Sequence, residues 1–145
     1  MATRLTDLDP GSAAAAIIER TPEEWLDAFV AALDRRRAGD GLRRVLEVWG
    51  VSQAEFARLR GVSRQAVGNW LSHGLPSSRL PEIGDLAAAT DLLEHYLRRD
   101  RIPAVVRRPA EALGGSSLLD LVAAGRHEDV LAACSAMFDF HGVSG

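Results

Sequence analysis

Apolar positions recur with helical rather than strand spacing along nearly the whole chain. Trp25, Leu26, Phe29, Val30 and Leu33 fall at i, i+1, i+4, i+5 and i+8, one broad stripe on the side of a helix. Thr21 as cap, Pro22 in the first turn and Glu24 completing a capping box mark its start. The stripe stops before Ala38-Gly39-Asp40, so residues 21–40 are predicted to form an amphipathic helix that frays there. Arg35, Arg36 and Arg37 then sit at the negative end of its dipole. Leu42, Val45, Leu46 and Trp49 predict a short second helix over Gly41–Trp49, ended by Gly50. Ser52 and Glu55 open a third helix, Gly61 breaks it, and Ser63 caps a fourth running to Ser72. Gly74, Pro76, Ser77 and Ser78 make a turn-rich connection.

From Pro81 to Arg99 a longer helix is predicted, with Ile83, Leu86, Ala87, Leu93 and Leu97 on one face as the expected dimerisation surface. The β-branched run Ile102–Val106, bounded by Pro103 and Pro109, admits a lone strand. Gly114-Gly115 is a turn, and Leu118–Ala124 and Asp129–Phe140 read as two closing helices separated by Gly125. Residues 1–20 carry no clear stripe and are expected to be mobile. The expected class is all-α, with a helix-turn-helix bundle over 41–75 and a small helical domain over 79–145.

The segment Gln53–Ser72, QAEFARLRGVSRQAVGNWLS, meets the requirements of a helix-turn-helix. Such a motif needs a small residue where its helices cross, a glycine in the tight turn, and apolar residues holding the second helix against the first. Ala57, Gly61, Val62, Val67 and Trp70 supply these in order. Val67, Trp70 and Leu71 turn one side of the second helix inward, leaving Arg64, Gln65, Gly68, Asn69, Ser72 and His73 on the other. Arginine can bond the two acceptors of guanine, and Gln or Asn can pair with adenine, in the major groove of duplex DNA. Arg58, Arg60 and the amides at the helix start capped by Ser63 suit phosphates.

Gln53–Ser72 resembles the helix-turn-helix of the Xre (Cro/repressor-like) family. The resemblance implies that Gln53 bonds phosphate while Arg64, Gln65 and Asn69 meet the bases. A second resemblance lies in the C-terminal half. Pro109, Leu113, Gly114, Gly115, Leu118, Asp120, Leu121 and Gly125 match the pattern of the toxin-binding domain of Xre/MbcA/ParS-type antitoxins. Val105-Val106 and Ser117-Leu118 stand where that family has Trp-Leu and Thr-Pro. The resemblance implies a dimer whose C-terminal end blocks a partner toxin, often an NAD-degrading one. Leu113, Gly114, Gly115, Leu118, Asp120 and Leu121 are then the expected partner-binding residues.

Charge supports the division of labour. All 17 basic residues are arginine, against 20 acids. Residues 41–80 carry six arginines and two acids, a net of +4, between blocks of −3 (residues 1–40) and −4 (residues 81–145). The basic block coincides with the helix-turn-helix, as a DNA-facing surface requires.

Other chemistry finds little support. His73, His95, His127 and His141 are scattered without helical metal spacing, so no metal is expected. Cys134 stands alone, which excludes an internal disulfide and marks it as a buried thiol. Ser116-Ser117 lack a nucleophile-elbow context and no phosphate-cradling loop is present, so no enzyme and no cofactor are expected. No apolar run is long enough to cross a membrane, and the chain is read as cytoplasmic. The expectation is a DNA-binding transcriptional repressor of antitoxin type, homodimeric, that neutralises a toxin and regulates its own expression. The alternative is a stand-alone Xre-family or phage repressor whose C-terminal domain only dimerises.

Overall fold

The computed structural model describes residues 4–139. Eight α-helices are present among them: α1 (Pro10–Arg20), α2 (Glu23–Trp49), α3 (Gln53–Arg60), α4 (Arg64–His73), α5 (Leu80–Tyr96), α6 (Ile102–Arg107), α7 (Leu118–Ala123) and α8 (His127–Met137). Short 3-10 turns join several of them. The fold is all-α; an isolated Ala110–Ser116 bridge is the β feature of the described residues. The residues 141–145, including His141, and the expected end of the last helix at Phe140 lie outside the described residues.

Two compact units partition the chain, Met1–Asp34 and Arg35–Gly145. The first holds α1 and the start of α2. Residues 10–20, expected to be mobile, instead form a helix. Its Asp9 cap accepts the Ser12 amide at 3.0 Å and Pro10 occupies the first turn, which satisfies the start without a buried face. The hydrogen bonds from Ser12 hold the Asp9 carboxyl below its usual range.

The second unit has one continuous core, from Leu42 on α2 to Cys134 on α8. The segments 41–75 and 79–145, separate in the sequence reading, share it. Trp49 is 1% exposed, and its indole N–H donates to Thr90 Oγ1 at 2.9 Å. The Thr90 hydroxyl in turn donates to the Leu86 carbonyl at 2.7 Å, so both buried polar groups are satisfied. Ile83, Leu86, Ala89 and Leu93 of α5 are buried, and α5 packs chiefly on α8.

Three expectations change here. The break at Ala38-Gly39-Asp40 does not occur, and α2 runs through it for 27 residues. Gly39 marks a crossing instead: a Cβ there would lie 2.6 Å from the Trp70 carbonyl oxygen at the end of α4. Gly74, at φ +109°, answers it from the other side, where a Cβ would lie 2.9 Å from the Arg35 carbonyl. Leu75 N–H donates to that same carbonyl at 3.1 Å. The run Ile102–Val106 is helix α6, not strand. Pro103 sits in its first turn, and Ile102 and Val106, four apart, are both fully buried on one face. Finally, the expected dimer face of α5 is spent on the internal core.

Candidate functional site

The helix-turn-helix is assembled as its residues require. The Ser52 side chain accepts the Glu55 amide at 3.0 Å and starts α3; Ser63 does the same for α4 through the Ala66 amide, also at 3.0 Å. Gly61 takes the left-handed conformation at φ +64°, and the Val62 amide returns to the Ala57 carbonyl at 3.0 Å. Ala57 is 3% exposed, as a crossing residue must be. Val67, Trp70 and Leu71 turn into the core.

The opposite face of α4 is open. Arg64, Gln65, Asn69, Ser72 and His73 are all exposed, as are Gln53, Arg58 and Ser63. Gly68 lies between the two helices' polar residues: a Cβ there would meet Gln53 Oε1 at 3.8 Å, an ordinary contact. Arg43 of α2, which sequence reasoning passed over, donates to the Leu71 carbonyl at 3.2 Å. With Glu47, Ser52 and Gln53 it borders a groove of 240 Å³ beside the start of α3. Its signal in the sequence was only its membership of the basic block.

Arg60 has a different task from the one expected. Its guanidinium pairs with Glu82 of α5 through Nε and Nη2, and Nη1 donates to the Val122 carbonyl of α7 at 2.9 Å. The Arg60 and Glu82 side chains are only 16% and 10% exposed. Arg79 reaches the same carboxylate at 3.5 Å and lies over the Trp70 ring at 4.7 Å. Arg60 therefore ties α3 to α5 and α7 and is not free to hold phosphate. A second tie runs from Glu55 to Arg107 of α6 in two bonds of 2.7 and 2.8 Å, with Arg107 also on the Gly50 carbonyl. The Arg107 hydrogen bonds hold the Glu55 carboxyl below the usual carboxylate range.

The C-terminal pattern turns out to be largely architecture. Gly114 and Gly115 take φ +67° and +87°, a turn that L side chains resist. The Asp120 carboxylate accepts the Ser117 amide at 2.8 Å while the Ser117 hydroxyl accepts the Asp120 amide, a reciprocal cap on α7. Leu118 and Leu121 are 1% and 3% exposed, and Leu119 is buried with them, so these leucines fill the core. Open to solvent beside them is a groove of 540 Å³. Half-buried Leu113, exposed Gly114 and the edge of Leu121 line it together with Arg126, Asp129, Ala132 and Ala133, which form the α8 wall. The α8 residues of that wall were not anticipated, since nothing in their spacing distinguishes a groove wall from an exposed helix face.

Among the described residues, no group of three His, Cys, Asp or Glu is placed to hold a metal, and no helix is long and apolar enough to cross a membrane. Burial pushes the Cys134 thiol up to about 12.

No family model matches the chain, and no curated protein matches it. Among solved structures it is similar to a chain of the crystal structure of the M. tuberculosis MbcT–MbcA toxin–antitoxin complex. The TM-score is 0.57 at 26% sequence identity, over 74% of this chain and 96% of that one.

Proposed function

We propose that the protein is an antitoxin of the MbcA kind that binds operator DNA as a homodimer and a partner toxin through its C-terminal helices. The observation that carries the reading is the likeness to nearly the whole of a chain taken from a toxin–antitoxin complex. The exposed polar face of α4 and the +4 charge of residues 41–80 support DNA binding. The groove beside Gly114 and α8, lined by Leu113, Gly114 and Leu121 among the expected partner-binding residues, offers the partner a surface. Toxin capture and promoter binding in one chain would make expression respond to free toxin. The protein acts without a cofactor, in the cytoplasm, as a regulator and not as an enzyme.

The test is co-expression with the protein encoded beside it. Alone, that neighbour should arrest growth; together, growth should recover and the two should co-purify in fixed proportion. Ala133→Arg in the groove wall should abolish co-purification while leaving helix content unchanged. A neighbour that is harmless and does not co-purify would overturn the antitoxin reading and leave the stand-alone repressor.

A further inference from the structure

Among the described residues of its unit, the first half of α2 carries an exposed apolar face. Trp25 is 54% exposed, Phe29 41%, Val30 54% and Leu33 38%. Trp25 and Phe29 stack on each other with ring centroids 5.2 Å apart, which joins them into one apolar surface. No described residue before Gly39 is buried. Four large side chains this exposed present on the order of 400 Å² of apolar surface, the size of patch that marks an interaction site.

We infer that this face pairs with the same face of a second copy, as an antiparallel α2–α2 contact across a two-fold axis between Phe29 and Val30. The inference rests on the dimer of the proposed function and moves it from α5, whose apolar face is buried, to α2.

Charge order along the helix selects both the occupant and the direction. Acidic Glu23 lies at one end of the stripe and Arg36 and Arg37 at the other, and at helical spacing these three share the side of Leu26, Phe29, Val30 and Leu33. An antiparallel pairing sets Glu23 opposite the partner's Arg36, Leu26 opposite the partner's Leu33, and Phe29 opposite the partner's Val30. A parallel pairing would instead place acid on acid and arginine on arginine, and would align the two helix dipoles unfavourably. A two-fold contact demands a self-complementary surface, and this stripe is one. Two such faces with their polar flanks bury about 1,000 Å², the lower bound for a stable association.

Sedimentation equilibrium of the full chain at micromolar concentration tests this. The wild type should run as a dimer without DNA or toxin. Phe29→Asp should run as a monomer with its helical circular dichroism retained, a loss of at least about tenfold in association constant. Glu23→Arg should weaken the dimer, and adding Arg36→Glu and Arg37→Glu should restore it. A wild-type monomer would overturn the dimer itself. A dimer that Phe29→Asp leaves intact would keep the dimer and overturn this interface. Rescue failing in the charge-reversed triple variant would overturn the antiparallel register.

Discussion

Two glycine-to-alanine substitutions of identical chemistry should move stability in opposite directions. In the middle of a helix, Gly→Ala is worth about 1 kcal/mol of propensity, whichever helix is chosen. At Gly68 the added methyl meets only Gln53 Oε1 at 3.8 Å, so the gain should appear almost undiminished. At Gly39 it would stand 2.6 Å from the Trp70 carbonyl oxygen. That oxygen cannot swing aside: it accepts the Gly74 amide at 2.9 Å, and the Leu75 amide is bonded back to Arg35 on α2. The end of α4 must move away from α2, an overpacking that costs about 1–3 kcal/mol, with about 1 kcal/mol more if the Leu75–Arg35 bond is lost. Net of propensity, Gly39→Ala should destabilise by about 1–3 kcal/mol. The two variants should then differ by about 2–4 kcal/mol, which at an m-value near 2 kcal/mol/M separates their urea midpoints by about 1–2 M. Urea unfolding followed by circular dichroism reads this directly. A Gly39→Ala midpoint at or above wild type would refute the close α2–α4 crossing and restore Gly39 as a mere surface position.

Other outcomes follow from the same geometry. Arg64→Ala and Asn69→Ala should each lose about 1–3 kcal/mol of operator affinity and relax base preference in a mobility-shift assay; unchanged preference would remove α4 as the reading helix. Arg58→Ala should weaken binding to all sequences alike without changing the urea midpoint. Arg60→Ala should do the reverse, costing about 1.5–3 kcal/mol of stability by removing charged hydrogen bonds and leaving Glu82 with Arg79 alone at 3.5 Å, and a wild-type midpoint would contradict the tie. Cys134, a neutral thiol until pH approaches 12, should resist alkylation at pH 8 in the native protein and react once urea unfolds it.

Helices were legible in this chain where an apolar stripe ran over several turns, as in α2 and α5, or where caps flanked a glycine break, as at α3 and α4. Ser52, Gly61 and Ser63 announced α3 and α4 because their roles are local: a side-chain oxygen for an amide three residues on, a backbone angle only glycine takes freely. Helix α1 was missed although Asp9-Pro10 is a start signal, since its alanines and isoleucines bury nothing and leave no contrast between faces. For α6 a lone strand stayed open because six residues are too few to separate a period of two from one of 3.6, and β-branched content stood against the signal of Pro103. Gly39 misled in an instructive way, since a glycine that permits close approach looks in sequence like one that ends a helix. The exposed polar face of α4 was legible, because exposure there follows from periodicity. The ties of Arg60 and Arg107 were not legible, since their partners lie 22 and 52 residues away. Nor could the leucines after Gly115 be assigned to core or surface before α8 was seen to cover them.

The Arg60 pair with Glu82 and the Val122 carbonyl also bears on modularity. A helix-turn-helix head that folded on its own could be exchanged between chains as a cassette. Here a head cut out near Gly74 would take Arg60 away from its carboxylate and carbonyl, and would strip Trp70 of the Arg79 above it. The remainder would keep Glu82 buried with Arg79, at 3.5 Å, in place of the Arg60 pair. The residues of α3 and α4 therefore do not form a piece that can be lifted out, and substitutions that leave the joint beneath intact are confined to the outer face of α4.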